Sequence, residues 1–186
     1  MNAIARFVER NLTLKFFLPL LALALAVTWY GLFYSVEQFH AMTGGLSFID
    51  MQPTLRPNEL FAQIRTYTPA TVDYYIVWSF FDYAWPFITF TTMIFISRWL
   101  LEFMSERWRQ WFWLFIASAY TTVLFDWAEN TGFIALVAAL PNEPMWLAQL
   151  TLGLHAGKLL FNMVFNLPFW VLLLTVIVVR VRARFT

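Results

Sequence analysis

Four long apolar stretches, separated by short polar segments, dominate the pattern along this chain. They predict four membrane-spanning helices at about residues 14–34, 70–99, 109–139 and 145–180. A bilayer core about 30 Å thick needs about 20 helical residues at a rise of 1.5 Å each. The third stretch is the least uniform, because residues 126–130 read Asp-Trp-Ala-Glu-Asn. We therefore predict an all-α integral membrane protein, a four-transmembrane-helix bundle in which residues 1–186 form a single transmembrane domain.

The basic residues alternate between the segments that connect these spans. Nine of the twelve lie in three segments: Arg6, Arg10 and Lys15 in the first, Arg98, Arg107 and Arg109 in the second, and Arg180, Arg182 and Arg184 in the third. Cytoplasmic segments are enriched in Lys and Arg. The pattern predicts an N-in/C-in topology, with both termini cytoplasmic. The first span continues into an aromatic run through Tyr34, so we expect an uncleaved anchor rather than a signal peptide.

The segment 35–69 is the one long connection, and this topology places it outside. Pro57 is expected to open a short helix through Arg65, because proline is tolerated in the first helical turn. Thr68-Pro69 repeats this signal, a capping residue followed by proline, and is expected to start the second helix. Leu60, Phe61 and Ile64 would share one face of that helix. Two interpretations follow: the helix lies on the membrane surface or covers the bundle, or the segment is an ordered loop packed on the helix ends.

Composition agrees with the membrane class. The chain is 61% hydrophobic and only 12% charged, against about 45–50% apolar and about 25% charged residues in soluble proteins. So few charges argue against a soluble domain, a disordered chain and a nucleic-acid binder. The chain contains no Cys, which excludes disulfides, thiol nucleophiles and Cys-based metal sites.

Some charged residues fall inside the predicted spans, at similar depth. Asp82 precedes Arg98 by 16 residues, about 24 Å along a helix. Asp126 follows Arg109 by 17 residues, about 25 Å, and Lys158 lies about 33 Å before Arg180. Charges in a bilayer usually face the bundle interior and pair with one another. We therefore expect the spans to bring these charges together in the outer part of the membrane.

Helical spacing supports that expectation, since residues three or four apart share a face. Ser118, Thr122, Asp126 and Glu129 form one polar stripe, and His155, Lys158, Asn162 and Asn166 form another. The candidate polar cluster comprises Asp82, Asp126, Glu129, Asn130, His155, Lys158 and Asn162. Its three carboxylates exceed its one lysine, so protonation, His155, Arg56, Arg65 or a bound cation must offset the charge. The alternative is structural: the carboxylates are wetted at the interface and Lys158 is their ion-pair partner.

These residues also carry a resemblance. The sequence resembles an uncharacterised family of small four-span bacterial inner-membrane proteins. The matching segments are Asp-Tyr-Ala-Trp-Pro at residues 82–86, Asp-Trp-Ala-Glu-Asn at 126–130, and Lys158 in the fourth span. The resemblance covers spans two to four and implies a four-helix fold in the bacterial inner membrane. It implies no reaction, so these positions transfer only as candidate site residues.

Three classes of function remain open. We favour a non-catalytic binding or accessory subunit, because the chain is small and has no recognisable reactive motif; its polar cluster would hold a lipid head group, a small ligand or an ion. The first alternative is a membrane-embedded hydrolase or transferase that uses the Asp/Glu/Lys cluster. The second is a proton- or ion-handling transport protein. We expect no cofactor, no metal and no nucleic acid; the expected partners are the lipid bilayer and other membrane subunits or further copies of the chain.

Overall fold

A computed structural model describes residues 3–183; Arg184, one of the residues used to predict the topology, lies outside that range. Helix makes up 84% of the structure, and the described residues contain no strand. The predicted all-α class is therefore confirmed.

Eight α-helices and two short irregular helices follow one another along the described chain. They are α1 (Ala3–Asn11), α2 (Leu14–Trp29), a π-helical segment (Tyr30–Ser35), α3 (Val36–Thr43), a 3-10 turn (Ile49–Met51), α4 (Pro57–Ile64), α5 (Pro69–Leu101), α6 (Glu106–Arg109), α7 (Phe112–Ala138) and α8 (Met145–Arg182).

Three helical stretches of the described chain are long and apolar enough to cross a membrane: Leu14–Thr43, Pro69–Leu101 and Met145–Arg182. The helix α7 has 27 residues, about 40 Å at 1.5 Å each. Its Asp126, Glu129 and Asn130 lower its mean hydropathy, and it does not join the three. By length and hydropathy, then, the described residues contain three candidate spans and a fourth long helix whose apolar sequence is interrupted by these three polar residues.

The first span differs from its prediction, since helix continues past residue 34. The segments α2, π-helix and α3 form one stretch of 30 residues that ends at Thr43. Gly44 and Gly45 then adopt positive φ angles of 72° and 103°, which glycine tolerates because it has no Cβ. Polar residues such as Glu37 and His40 are typical of a loop. The helix nevertheless continues through them, because the buried Phe39 packs this last part of the helix against the protein.

The starts of the next two helices agree with prediction. Pro57 opens α4, and Pro69 opens α5 with Thr68 as its N-cap. The Thr68 hydroxyl accepts a hydrogen bond from the Thr71 backbone N–H at 3.2 Å. A hydroxyl at this position satisfies one of the amides that the first helical turn leaves unpaired.

The helix α7 is the central element, because α5 packs on one side of it and α8 on the other. Two glycines lie at the contact between α7 and α8. A Cβ on Gly132 would lie 2.2 Å from Thr151 Oγ1, and a Cβ on Gly157 would lie 2.3 Å from the Phe125 ring. Small residues let neighbouring helices approach closely, so these two positions set how near α7 and α8 lie.

Two hydrophobic cores lie at opposite ends of the helices. The loop-end core contains, among others, Phe39, Phe48, Leu60, Tyr75, Trp78, Phe133 and Ala148. The basic-end core lies towards the arginines and contains Val8, Phe90, Phe95, Phe115, Val123, Phe165 and Val176, among others. Each of α5, α7 and α8 passes through both cores. The predicted polar residues lie in the stretches of these helices between the two cores.

The helix α4 packs against the protein through its apolar face. Its Leu60, Phe61 and Ile64 are buried in the loop-end core, so its apolar face is used within the protein. At its end Arg65 forms an ion pair with Glu143 in the turn between α7 and α8. The 35–69 segment is therefore an ordered cover packed on the helices.

The helix α1 was not predicted. Its Ala5 and Val8 are buried in the basic-end core, and Arg98 of α5 lies 3.4 Å from Glu9. The signal was present in the three- and four-residue spacing of Ala5, Val8 and Leu12, which places one apolar face on a short helix.

Candidate functional site

Three helices and one turn bring seven polar side chains into a single buried layer between the two cores. We call it the polar layer; it comprises Asp50, Asp82, Asp126, Glu129, Asn130, His155 and Lys158. Its four carboxylate residues are each at most 6% exposed. Six of the seven were predicted from sequence, and Asp50 was not.

Lys158 lies at the centre of the layer. Its Nζ donates a hydrogen bond to Glu129 Oε1 at 2.7 Å and lies 3.2 Å from Asp126 Oδ1. It also donates to the backbone carbonyl of Asp50 at 3.4 Å. Asp126 and Glu129 are three residues apart and so present both carboxylates from one face of α7. One ammonium group thus joins α7, α8 and the 35–69 segment.

Asn130 links the helices α5 and α7. Its Nδ2 donates to Asp82 Oδ2 at 2.9 Å and to Asp126 Oδ2 at 3.3 Å. A side-chain amide has two N–H donors, and here both go to carboxylates on different helices. The amide therefore holds together two carboxylates that would otherwise repel each other.

His155 lies beside Glu129 on the loop-end side of Lys158. Its Nδ1 is 3.0 Å from Glu129 Oε1, yet neither ring nitrogen closes a hydrogen bond of good geometry. The ring is 6.4 Å from the ring of Phe133, centroid to centroid. The imidazole is thus enclosed between a carboxylate and the loop-end core.

Asp50 enters the layer because the 3-10 turn folds inward. Phe48, the residue before this turn, stacks on Phe39 at 4.0 Å and on Trp78 at 4.6 Å between ring centroids. Burial raises the pKa of the Asp50 carboxyl, and the nearby Lys158 opposes part of that rise. The available signal in sequence was the short apolar group Phe48-Ile49-Asp50-Met51 in an otherwise polar loop.

The layer carries more negative than positive charge. Four carboxylates surround one lysine, and neither arginine of the 35–69 segment offsets them. Arg56 is exposed, and Arg65 is paired with Glu143 at the surface, where it lowers the pKa of that carboxyl. A buried charge without a partner is costly, so the layer must hold protons or a cation.

Several buried polar atoms in the polar layer and the loop-end parts of the helices have no hydrogen-bond partner. They are Asp50 Oδ1, Glu129 Oε2, both nitrogens of His155, the Tyr75 hydroxyl, the Trp78 indole N–H and Thr151 Oγ1. The Trp78 N–H faces Asp50 without closing a bond of good geometry. Buried polar atoms in native proteins are nearly always paired, so this side of the layer has capacity for further donors and acceptors. Within residues 3–183, no group of three or more His, Asp or Glu side chains is placed to hold a metal ion.

Other residues of the predicted stripes lie apart from the layer. Asn162 is half-buried, and its Oδ1 accepts a hydrogen bond from Asn166 Nδ2 at 2.6 Å along the same helix. Ser118 and Thr122 donate their hydroxyls to the carbonyls of Leu114 and Ser118. Such local bonds satisfy a hydroxyl without a tertiary partner. The two stripes therefore supply four residues of the layer, Asp126, Glu129, His155 and Lys158, and extend beyond it towards the basic end.

Comparison of the chain with protein-family models, with curated proteins and with solved structures found no match.

Proposed function

We propose that the chain is a four-span protein of the bacterial inner membrane, with both termini cytoplasmic, that acts as a non-catalytic subunit with a proton-binding site in its outer half. Its membership of the uncharacterised four-span family belongs to this proposal. Its surroundings would be the lipid bilayer and either other membrane subunits or further copies of the chain.

The packing of α7 supports a fourth span. This helix lies between α5 and α8, and its Asp126, Glu129 and Asn130 are buried inside the protein. Hydropathy counts these residues as if they met lipid, although the neighbouring helices shield them. Charged residues within spans usually face the interior in this way.

The observation that carries the proposed function is the excess of buried carboxylates. A purely structural ion pair needs one carboxylate for each lysine, whereas Lys158 has four acidic residues around it. Two of them, Asp82 and Asp126, share the side-chain amide of Asn130. Buried groups that cannot all ionise share protons, so the layer suits the uptake and release of protons.

Protons fit this layer better than the other ligands considered. The carboxylates are enclosed by protein, and a proton needs no cavity, whereas a lipid head group does. Carboxylates within a membrane span are typical of proton relays. Titratable or hydrogen-bonding groups follow one another from Asp82 through Lys158 to His155. These carboxylate, amide, ammonium and imidazole groups form one continuous path.

Infrared difference spectroscopy tests the proposal. Protein reconstituted in nanodiscs is moved between acid and alkaline buffer, and the carbonyl band of protonated carboxyls is recorded. We expect a band from buried carboxyls that diminishes in Asp82→Asn and in Asp126→Asn, because each removes one proton acceptor and keeps the side-chain shape.

Asp73→Asn is the matched control, since Asp73 is exposed at the start of α5. A buried-carboxyl band that Asp82→Asn and Asp126→Asn leave unchanged would contradict the proposal. A band that depends on the choice of Na⁺, K⁺ or choline in the buffer, instead of on pH, would point to a cation in place of protons.

A second candidate rests on His155. The Nδ1 of this imidazole lies 3.0 Å from Glu129 Oε1, and neither ring nitrogen is paired, so the ring suits a general base that activates water in a membrane hydrolase or transferase. In that case Glu129→Gln abolishes hydrolysis of an amphiphilic ester or amide while the yield of folded protein stays unchanged. Absence of turnover in the unmodified protein removes this candidate.

A further inference from the structure

An apolar groove of about 510 Å³ lies between α7 and α8, on the basic-end side of the polar layer. Phe115 and Thr121 line it from α7, and Val164 and Val171 line it from α8. Met104 and Trp108 line its end near the basic segments. Its walls are almost entirely apolar, so it suits a hydrocarbon and not a polar solute.

The groove has the length of one bilayer leaflet. Along α8 it extends from Phe161 to Thr175, 14 residues or about 21 Å. Half of a bilayer about 40–45 Å thick, head-group regions included, is about 20–22 Å. At the deep end the rings of Phe125 and Phe161 lie 5.4 Å apart between centroids. Lys158 lies about one helical turn beyond Phe161 on α8.

Positive charge lies at the open end of the groove. The Arg180 guanidinium lies 4.0 Å above the Phe103 ring, next to the groove residue Met104. Arg107 directly precedes Trp108 and is exposed. Trp108 is itself 55% exposed, as is typical of tryptophans at a membrane–water interface. Guanidinium groups bind phosphate with several hydrogen bonds.

We propose that this groove binds one acyl chain of an anionic phospholipid from the leaflet at the basic end, with the lipid phosphate at Arg180 and Arg107. The hydrocarbon chain fills the apolar channel, and the two arginines select the anionic head group. The inference rests on the membrane placement proposed above and is independent of proton binding at the polar layer.

Native mass spectrometry tests this site. The protein is reconstituted in nanodiscs of equal phosphatidylglycerol and phosphatidylcholine, released in mild detergent, and its retained lipids are identified. We expect retained phosphatidylglycerol on the unmodified protein. Val164→Trp and Val171→Trp should abolish that retention, because the indole occupies the channel. Arg180→Gln should lower it about fivefold, the usual effect of one basic residue near an anionic membrane surface.

The controls alter the same helix and the same end of the molecule. Leu167→Trp and Leu174→Trp place an indole on exposed parts of α8 outside the groove, and Lys15→Gln removes one charge at the basic end. All three should retain lipid as the unmodified protein does. An equal loss of retained lipid in Leu167→Trp and Val171→Trp would overturn the proposal. Equal retention of phosphatidylglycerol and phosphatidylcholine would also overturn it, as would a polypeptide retained in place of lipid.

The two proposals fail separately. Asp126→Asn should keep its lipid while it loses infrared signal, and Val171→Trp should keep its infrared signal while it loses lipid. Loss of lipid in Asp126→Asn would show that the groove depends on the polar layer, and would contradict a lipid site that is independent of proton binding.

Discussion

At the scale of single residues, two hydrogen-bond donors organise the polar layer. Lys158 binds the carboxylates of α7 and the carbonyl of Asp50, and Asn130 binds one carboxylate on each of two helices. Removing one partner of a buried ion pair costs about 3–5 kcal/mol, because the other partner remains buried and unpaired. Substitution of the donors Lys158 and Asn130 should therefore lower the stability of the protein more than substitution of a surplus carboxylate.

Asp50 provides the pH prediction at this scale. Burial raises the pKa of its carboxyl above the ordinary value of 3.8, so the folded state binds the proton more tightly than the unfolded state. Below about pH 4 the carboxyl is protonated in both states and costs nothing. As pH rises towards the raised pKa, ionisation lowers the free energy of unfolding. Asp50→Asn cannot ionise, so its stability should fall less with rising pH.

Thermal unfolding followed by tryptophan fluorescence, from about pH 4 to about pH 8, measures this difference. The two proteins should be similar in the acid buffer, and the variant should be the more stable in the alkaline one. Asp73→Asn serves as the exposed control. If stability varied with pH identically in Asp50→Asn and in the unmodified protein, ionisation of Asp50 would not destabilise the folded state.

At the scale of elements, the contact between α7 and α8 depends on glycine. Gly132 faces the fully buried Thr151, whose side chain has no room to move, whereas Gly157 faces the outer end of the Phe125 ring. A third glycine of α8, Gly153, has nothing within 4 Å of its Cβ position. The same substitution therefore meets three different environments.

Gly132→Ala should destabilise the protein by about 1–3 kcal/mol, the usual cost of overpacking a core, and Gly157→Ala should cost less because the ring can shift. Gly153→Ala should stabilise by about 0.5–1 kcal/mol, since alanine restricts the unfolded chain and favours helix. Chemical denaturation in detergent, followed by circular dichroism, gives the three values. Equal effects at all three positions would contradict the close approach of the two helices.

At the scale of the whole molecule, the number of membrane spans decides on which side of the membrane the connections between the helices lie. The basic end carries Glu106, and the loop end carries Ser47 and Asn142; all three are exposed. If α7 crosses the membrane, Glu106 and Asn142 lie on opposite sides. If it does not cross, they lie on the same side.

Cysteine labelling distinguishes these arrangements, and the chain has no cysteine of its own. In spheroplasts, a membrane-impermeant maleimide should label Ser47→Cys and Asn142→Cys directly. Glu106→Cys should react only after the membrane is permeabilised. Labelling of Glu106→Cys and Asn142→Cys under the same condition would refute a fourth span.

Much of the architecture followed from local sequence patterns. The apolar stretches predicted helix, proline and threonine predicted the starts of α4 and α5, and a constant rise per residue predicted that Asp82, Asp126 and Lys158 lie at similar depth. These properties depend on neighbours within a few residues, so they can be derived from the chain without knowledge of its packing. The helical repeat likewise placed Asp126 and Glu129 on one face.

The tertiary structure decided the rest. Asp50 joins the polar layer only because Phe48 packs between Phe39 and Trp78, which lie far from one another in sequence. The helix continues to Thr43 because Phe39 is buried there, and Asn162 bonds to its own helix because no partner of the layer reaches it. The sequence alone determined which residues are apolar, charged and in phase along each helix. Which of them meet is determined by contacts between distant segments, whose energies no local pattern contains.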